Sequence, residues 1–119
     1  MIEKSFILII FIEWCKDERS AIKKYGHIND WDTSEVTDMS ELFFDALEFN
    51  SPIGNWDVSN VTNMKGMFAS AESFNQPIGN WDVSKVFDIS GMFQIAKSFN
   101  QPIGGWDVGN VKDLTEMFS

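Results

Sequence analysis

Cysteine, histidine and tyrosine each occur only once in this chain of 119 residues. Because a disulfide or a cysteine-based metal site needs several cysteines, Cys15 alone excludes both within the chain. His27 has no repeated partner, so we predict a structural or solvated role for it. Cys15 has no histidine arranged with it, and we predict that it packs in the cap. Nothing in the sequence indicates a catalytic residue, a cofactor or an enzyme.

Basic residues are also scarce, since nine Lys and Arg face 18 Asp and Glu, which gives a formal net charge of −9. Binding to nucleic acid phosphates requires clustered Lys and Arg, so this balance argues against a nucleic acid partner. The same charge is unfavourable at anionic membrane surfaces. We therefore expect a protein partner.

Long apolar runs are absent as well. The longest, residues 6–12, is far shorter than the roughly 18 residues that a membrane-spanning helix needs, so we expect no membrane insertion. A secretory signal is not favoured, because Glu3 cancels Lys4 and no small residues follow the run. We expect the run to form a buried strand or a helix turn that closes the N-terminal end of the core.

What the sequence does contain is a repeat. Trp31, Trp56, Trp81 and Trp106 are spaced by 25 residues without insertion or deletion. A fixed period of this length is typical of stacked repeats, in which each unit buries its apolar face only against its neighbours. We predict an N-terminal cap over residues 1–25 and about four repeats over residues 26–119, the last one incomplete. The cap ends in a helix closed by Gly26.

Within one repeat, Met64, Met67, Phe68 and Ala71 have the i, i+3, i+4, i+7 spacing of one helix face. The residue before each such set is a strong N-cap type. These residues are Asp38, Asn63, Asp88 and Asp113. With a short strand near Trp81, the pattern predicts an α/β fold: a right-handed, leucine-rich-repeat-like solenoid with one strand and one helix per coil. A pure β-solenoid is the alternative.

Stacking would align equivalent residues in columns. We predict an asparagine ladder and two columns of aromatic rings. The ladder is Asn50, Asn75 and Asn100, and the columns are Phe49, Phe74, Phe99 and Phe43, Phe68, Phe93, Phe118. An aspartate column, Asp32, Asp57, Asp82 and Asp107, has two interpretations. Each Asp bonds the turn that follows it, or the row binds calcium.

The repeated pattern Trp-Asp-Val-Ser-Asn-Val-Thr-Asn-Met-x-x-Met-Phe-x-x-Ala-x-x-Phe-Asn-Gln-Pro, residues 56–77 here, resembles the BspA-like leucine-rich-repeat surface proteins. The resemblance covers about residues 20–119. It implies a repeat scaffold for surface display or protein contact, with no catalytic residues to carry over. The residues before Cys15 are not the small residues of a lipoprotein signal, in contrast to many relatives.

The leading hypothesis is therefore a non-enzymatic scaffold for contact with a protein or a cell surface. Phe87 and Ile95 are candidate contact residues, because the other repeats carry mostly polar residues there. Leu114, Met117 and Phe118 belong to the incomplete last repeat and predict self-association or docking of another protein. The alternative is a metal- or small-ligand-binding module that uses the Asp and Asn columns.

Overall fold

A computed structural model of the protein describes residues 4–118. Two helices come first, α1 (Lys4–Lys16) and α2 (Glu18–Tyr25), and a short 3-10 turn follows at Ile28–Asp30. Residues 1–3 and 119, the outer ends of the predicted cap and repeat regions, lie outside the described residues. Within the described part of the chain, no helix is both long and apolar enough to cross a membrane.

Helix α1 contains the apolar run that was predicted as a strand or a helix turn. One face of the helix is buried against the rest of the chain through Ile7, Ile10, Phe11 and Trp14. The Phe11 ring meets the rings of Phe43 and Phe49 edge-to-face, with centroids 4.9 and 5.1 Å away. Helix α1 therefore covers the apolar side of the first repeat.

Helix α2 begins and ends as its local sequence dictates. Asp17 is its N-cap, and the carboxylate accepts a bond from the Ser20 backbone N–H at 3.2 Å. Gly26, at φ 77°, closes the helix by donating its N–H to the Ile22 carbonyl. The predicted helix end at Gly26 is thus observed, and it requires a positive φ that glycine adopts without steric cost.

The rest of the described chain forms four stacked units, residues 26–50, 51–75, 76–100 and 101–118. One isolated parallel bridge joins each unit to the next, and these bridges link Asp38 to Asn63, Asn63 to Asp88 and Asp88 to Asp113. A segment that starts at each bridge carries most of the hydrogen bonds between units. We call these the ladder segments; they are residues 38–45, 63–70, 88–95 and 113–118.

In the ladder segments, alternate backbone N–H groups point toward the following unit. The first segment donates to carbonyl groups 24 residues further along the chain, at 2.8 to 2.9 Å. The donors are Met39, Glu41, Phe43 and Asp45, and the acceptors are Asn63, Lys65, Met67 and Ala69. The intervening N–H groups close tight turns, for example from Leu42 to the Met39 carbonyl at 3.3 Å.

This arrangement corrects the predicted fold class. The leucine-rich-repeat-like coil with one strand and one helix is wrong, because residues 31–118 contain neither a helix nor a strand longer than an isolated bridge. The pure β-solenoid alternative is wrong for the same reason. The predicted helix over Met64 to Ala71 is interrupted by positive φ angles at Gly66 and Ser70. The bridge residues accordingly cap turns rather than helices: the Asp88 carboxylate accepts the Ser90 N–H at 2.9 Å.

The interior is built from matched aromatic rings, as the spacing predicts. In one column, Phe68 stacks on Phe43 and on Phe93 with centroids 5.5 and 5.6 Å apart. In the other, Phe74 stacks on Phe49 and on Phe99 at 5.8 and 6.0 Å. These columns bury large apolar surfaces at the centre of the stack, which stabilises the contact between units.

Polar groups of the tryptophans and asparagines also join neighbouring units. The indole N–H of Trp81 donates to the Ile53 carbonyl, one unit back, at 3.2 Å. Trp56 and Trp106 make the same bond to the preceding unit. The predicted asparagine ladder is present, since the Asn75 N–H donates to the Asn50 side-chain oxygen at 2.8 Å, and the next pair repeats it.

Candidate interaction surface

The outer side of the four ladder segments forms one surface, which we call the ladder face. Its inward-pointing side chains, such as Met64, Met67 and Phe68, are fully buried. The outward-pointing residues differ from unit to unit, because the backbone bonds between units do not depend on their side chains. The ladder face is therefore where this fold permits side chains to vary.

The backbone of each ladder segment needs residues with positive φ at two places. The first place holds Glu41, Gly66, Gly91 and Glu116, with φ from 54° to 61°. The second holds Asp45, Ser70 and Ile95, with φ of 58° to 59°. Glycine adopts this conformation freely, and short polar residues tolerate it better than branched ones. Both places thus follow from the turn geometry.

Ile95 contradicts that preference. It is β-branched, its φ is 58°, and it is 50% exposed, so only half of its surface is buried to offset the steric cost. The equivalent residues Asp45 and Ser70 are of types that suit the turn better. A strained residue that the local structure does not require points to a role outside folding.

Phe87, the other candidate chosen by comparing repeats, lies directly before the bridge residue Asp88 and is 45% exposed. Its backbone N–H donates to the Thr62 carbonyl at 2.9 Å, and Lys112 makes the equivalent bond to Phe87. Since Thr62 and Lys112 occupy the same position in neighbouring units, the fold accepts Thr, Phe or Lys there. A large apolar side chain is not needed for the backbone to pair.

The three candidates in the last unit differ from one another. Leu114 and Phe118 are 56% and 63% exposed, although the Phe118 ring stacks on Phe93 at 5.4 Å. Met117 is partly buried against the core, and its carbonyl accepts the Phe93 N–H. All five candidates therefore lie in the third and fourth ladder segments or directly beside them.

Sequence comparison missed the most prominent feature of the ladder face, a groove of about 340 Å³ that crosses all four units. Phe44 lines it at the first unit and is 51% exposed. The remaining lining residues are Glu41, Lys65, Gly66, Ala69, Ser90, Gly91, Gln94, Asp113, Thr115 and Glu116. The available signal was that Phe44 is replaced by Ala69 and Gln94 in the next units.

The aspartate column takes part in turns. The Asp82 carboxylate accepts both the hydroxyl and the backbone N–H of Ser84, at 2.6 and 3.0 Å. These bonds stabilise the ionised form and lower the pKa of Asp82 below its ordinary value. Asp32 and Asp57 make the same pair of bonds, and Asp107 bonds the Gly109 N–H. The interpretation of this column as turn-forming is confirmed.

The metal interpretation finds no such support, because the described residues contain no group of three or more His, Cys, Asp or Glu that could hold a metal ion. The single histidine lies beside a tryptophan, with the His27 and Trp14 rings 6.5 Å apart. Cys15 is exposed, so the prediction that it packs in the cap is wrong. Partial desolvation still raises the pKa of its thiol, which is the direction opposite to that of a reactive cysteine.

A second groove, of about 420 Å³, lies where the turns before the tryptophans stack. Its lining is Asn29, Pro52, Gly54, Asn55, Gln76, Pro77, Gly79, Asn80 and Pro102. None of these side chains is charged, although the chain as a whole carries −9. This groove contrasts in chemistry with the groove on the ladder face.

Comparison with known proteins identifies one family. The model of that family, described as Mycoplasma protein of unknown function, DUF285, matches residues 15–119. No curated protein and no solved structure matches the chain.

Proposed function

The chain belongs to the DUF285 family, whose function is unknown, and we propose that it is a non-enzymatic scaffold that binds another protein through its ladder face. The stacked interior and the turns occupy the residues that recur in every unit. Among the described residues, no buried side-chain nitrogen or oxygen lacks a hydrogen bond. The side chains left for recognition are those that vary outside the stack, and the large apolar ones are the best suited to contact a protein.

Ile95 is the observation that carries this proposal. An exposed β-branched residue with positive φ costs about 1–2 kcal/mol relative to a residue that suits the turn. The turn does not require isoleucine, because Ser70 serves the same turn one unit earlier. Phe87 supports the same conclusion from a position where Thr62 is sufficient.

The test compares Ile95→Asn and Phe87→Thr with the natural chain. Asn tolerates positive φ, so Ile95→Asn should raise the free energy of unfolding by about 0.5–1 kcal/mol. Both variants should capture less of the partner protein from the native source. Ile12→Ser is the control, since Ile12 is 54% exposed on α1, outside the ladder segments. Undiminished capture of the partner by both Ile95→Asn and Phe87→Thr would refute the proposal.

The resemblance to BspA-like surface proteins supports a cell surface as the setting of this contact. In that setting the partner would be another protein at the cell surface. Labelling of intact cells with a membrane-impermeant reagent tests it, and protection of the chain from the label would argue against a surface location.

The uncharged groove favours a second candidate, a module that binds a neutral polar ligand beside the Asn55 and Asn80 amides. Its chemistry makes a calcium ion an unsuitable ligand there, because calcium prefers carboxylate oxygens. We expect the melting temperature to be the same in calcium and in EDTA. A neutral oligosaccharide that shifts the side-chain amide NMR signals of Asn55 and Asn80 would support this candidate, and unmoved signals would refute it for that ligand.

A further inference from the structure

We infer that the groove on the ladder face accepts a cationic segment of another protein that also carries an apolar side chain. This inference rests on the proposed function, because it names the chemistry of the partner that the ladder face would bind. It follows from the charge, the shape and the apolar wall of the groove.

The charge of the ladder face is strongly one-sided. The four ladder segments carry six acidic side chains and one basic side chain, Lys65. The acidic ones are Asp38, Glu41, Asp45, Asp88, Asp113 and Glu116. The Lys4 ammonium of α1 lies 3.5 Å from the Asp38 carboxylate and offsets one of these charges, which still leaves a net negative charge on this face. Such a field attracts cationic partners and repels a second copy of the same face.

The groove is open because small residues line its middle. Gly66 and Gly91 contribute only backbone to the lining, and Ala69 is 6% exposed between the first and third units. Glycine suits residues 66 and 91, whose φ angles are 60° and 61°. The turn geometry thus opens a depression of about 340 Å³, at the lower end of the usual range for ligand pockets.

Phe44 supplies the apolar wall. Its ring is 51% exposed at the rim of the groove, whereas the equivalent residue of the next unit is Ala69. An aliphatic or aromatic side chain of the partner would cover this ring and remove it from water. Cationic residues on either side of that anchor would face the carboxylates of the ladder face.

Substitution of Lys65 tests whether the partner is cationic. It lies in the middle of the lining, and the equivalent residues Ser40 and Ser90 are uncharged. A cationic partner must approach this ammonium group, so Lys65→Ser should tighten binding. A residue that only maintains the fold would not have this effect.

The experiment measures fluorescence anisotropy of a labelled nine-residue peptide that alternates lysine and leucine. We expect it to bind the full chain, and a lysine–serine peptide to bind about tenfold more weakly. A glutamate–leucine peptide should not bind. Raising the salt concentration should weaken binding of the lysine–leucine peptide, because exposed charges are screened.

Three variants locate the site. Phe44→Ala should weaken binding of the lysine–leucine peptide about tenfold, and Lys65→Ser should strengthen it about threefold. Glu35→Gln is the charge control, since Glu35 is exposed outside the ladder segments, and it should change affinity much less. Circular dichroism melting of each variant confirms that the fold is intact.

Absence of peptide binding, or equal binding by Phe44→Ala, Lys65→Ser and the natural chain, would overturn the inference. If Ile95→Asn and Phe87→Thr still reduced capture of the natural partner, the proposed function would stand with a different partner chemistry. A different result would refute the proposed function. If Ile95→Asn and Phe87→Thr captured the partner normally while the peptide bound at Phe44, the scaffold proposal based on Ile95 and Phe87 would fail.

Discussion

Gly54, Gly79 and Gly104 occupy the same position in three units, but their surroundings differ. A Cβ atom on Gly79 would lie 2.8 Å from the Pro102 carbonyl oxygen of the next unit, and Gly54 has the same relation to Pro77. Around Gly104 no atom would come within 4 Å of a Cβ. The first two glycines are therefore required by close packing of the next unit, not by backbone conformation.

We predict that Gly79→Ala destabilises the chain by about 1–3 kcal/mol, because a backbone carbonyl cannot move aside cheaply. Gly104→Ala is the matched control and should change stability by less than about 0.5 kcal/mol. Urea unfolding followed by tryptophan fluorescence measures both. Equal stability of the two variants would contradict the close stacking of proline turns.

The turn aspartates predict an acid-sensitive fold. Hydrogen bonds from Ser84 lower the pKa of Asp82 in the folded chain, so the carboxylate is more acidic there than in the unfolded chain. A lowered folded pKa stabilises the fold above the unfolded pKa, and this stabilisation is lost as the pH falls through the folded value. Stability should thus decrease below about pH 4.

Ser84→Ala tests this at one residue. Removing the hydroxyl donor should raise the pKa of Asp82 toward its ordinary value, as measured by NMR titration of the carboxyl carbon. Ser98→Ala, at an exposed position, is the control and should leave that titration unchanged. An Asp82 titration that is identical in Ser84→Ala and in the natural chain would show that the hydroxyl does not stabilise the carboxylate.

At the scale of the elements, the ladder segments explain why the spacing of apolar residues predicted a helix that is not present. Buried residues at Met64, Met67 and Phe68 satisfy the spacing of a helix face, and they also fit a run of tight turns whose alternate N–H groups bond the next unit. Local spacing does not distinguish the two. The ladder is formed because alternate N–H groups find carbonyl acceptors in the neighbouring unit, which a helix would leave unused.

Helix α1 has an inner and an outer aromatic residue that can be compared directly. Phe11 is 7% exposed and contacts Phe43 and Phe49, whereas Phe6 is 44% exposed and its ring meets the Tyr25 ring edge-on at 6.5 Å. We predict that Phe11→Ala costs about 3–5 kcal/mol, since it opens a cavity against the first unit.

Phe6→Ala is the control and should cost about 1 kcal/mol or less. Chemical denaturation of both variants measures the difference. Similar losses of stability in the two variants would show that the contact between α1 and the first unit does not hold α1 in place.

At the scale of the whole molecule, the last unit and the net charge have opposite effects on self-association. Leu114 and Phe118 expose more than half of their side-chain surface, which favours association of the 119-residue chain. The charge of −9 opposes it. We therefore predict a dimer whose fraction rises with salt, as measured by sedimentation equilibrium.

The substitution Leu114→Ser should reduce this dimer. Leu47→Ser is the matched control, because Leu47 is 51% exposed in the first unit. A monomer at every salt concentration would remove self-association from the proposed roles and leave the ladder face as the contact surface.

The candidate surface was only partly predictable from the sequence. Comparing repeats was enough to single out Phe87 and Ile95, because an apolar residue stood where other units have mostly polar ones. The groove beside Phe44 was not predictable, since it is formed by residues of four units whose outward direction depends on the turn geometry. The strain at Ile95 was not predictable either, because the residue type does not reveal the φ angle.

The sequence by itself determined which residues meet, because a constant period of 25 residues aligns identical groups: the phenylalanine columns, the asparagine ladder and the turn aspartates. Only the tertiary structure decided what conformation the backbone adopts between those groups. An amide N–H can close a helix or bond a neighbouring unit, and the choice depends on which acceptors the stack brings within reach. Here the stack supplied those acceptors, so the predicted strand and helix of each unit are replaced by turns and a one-directional ladder.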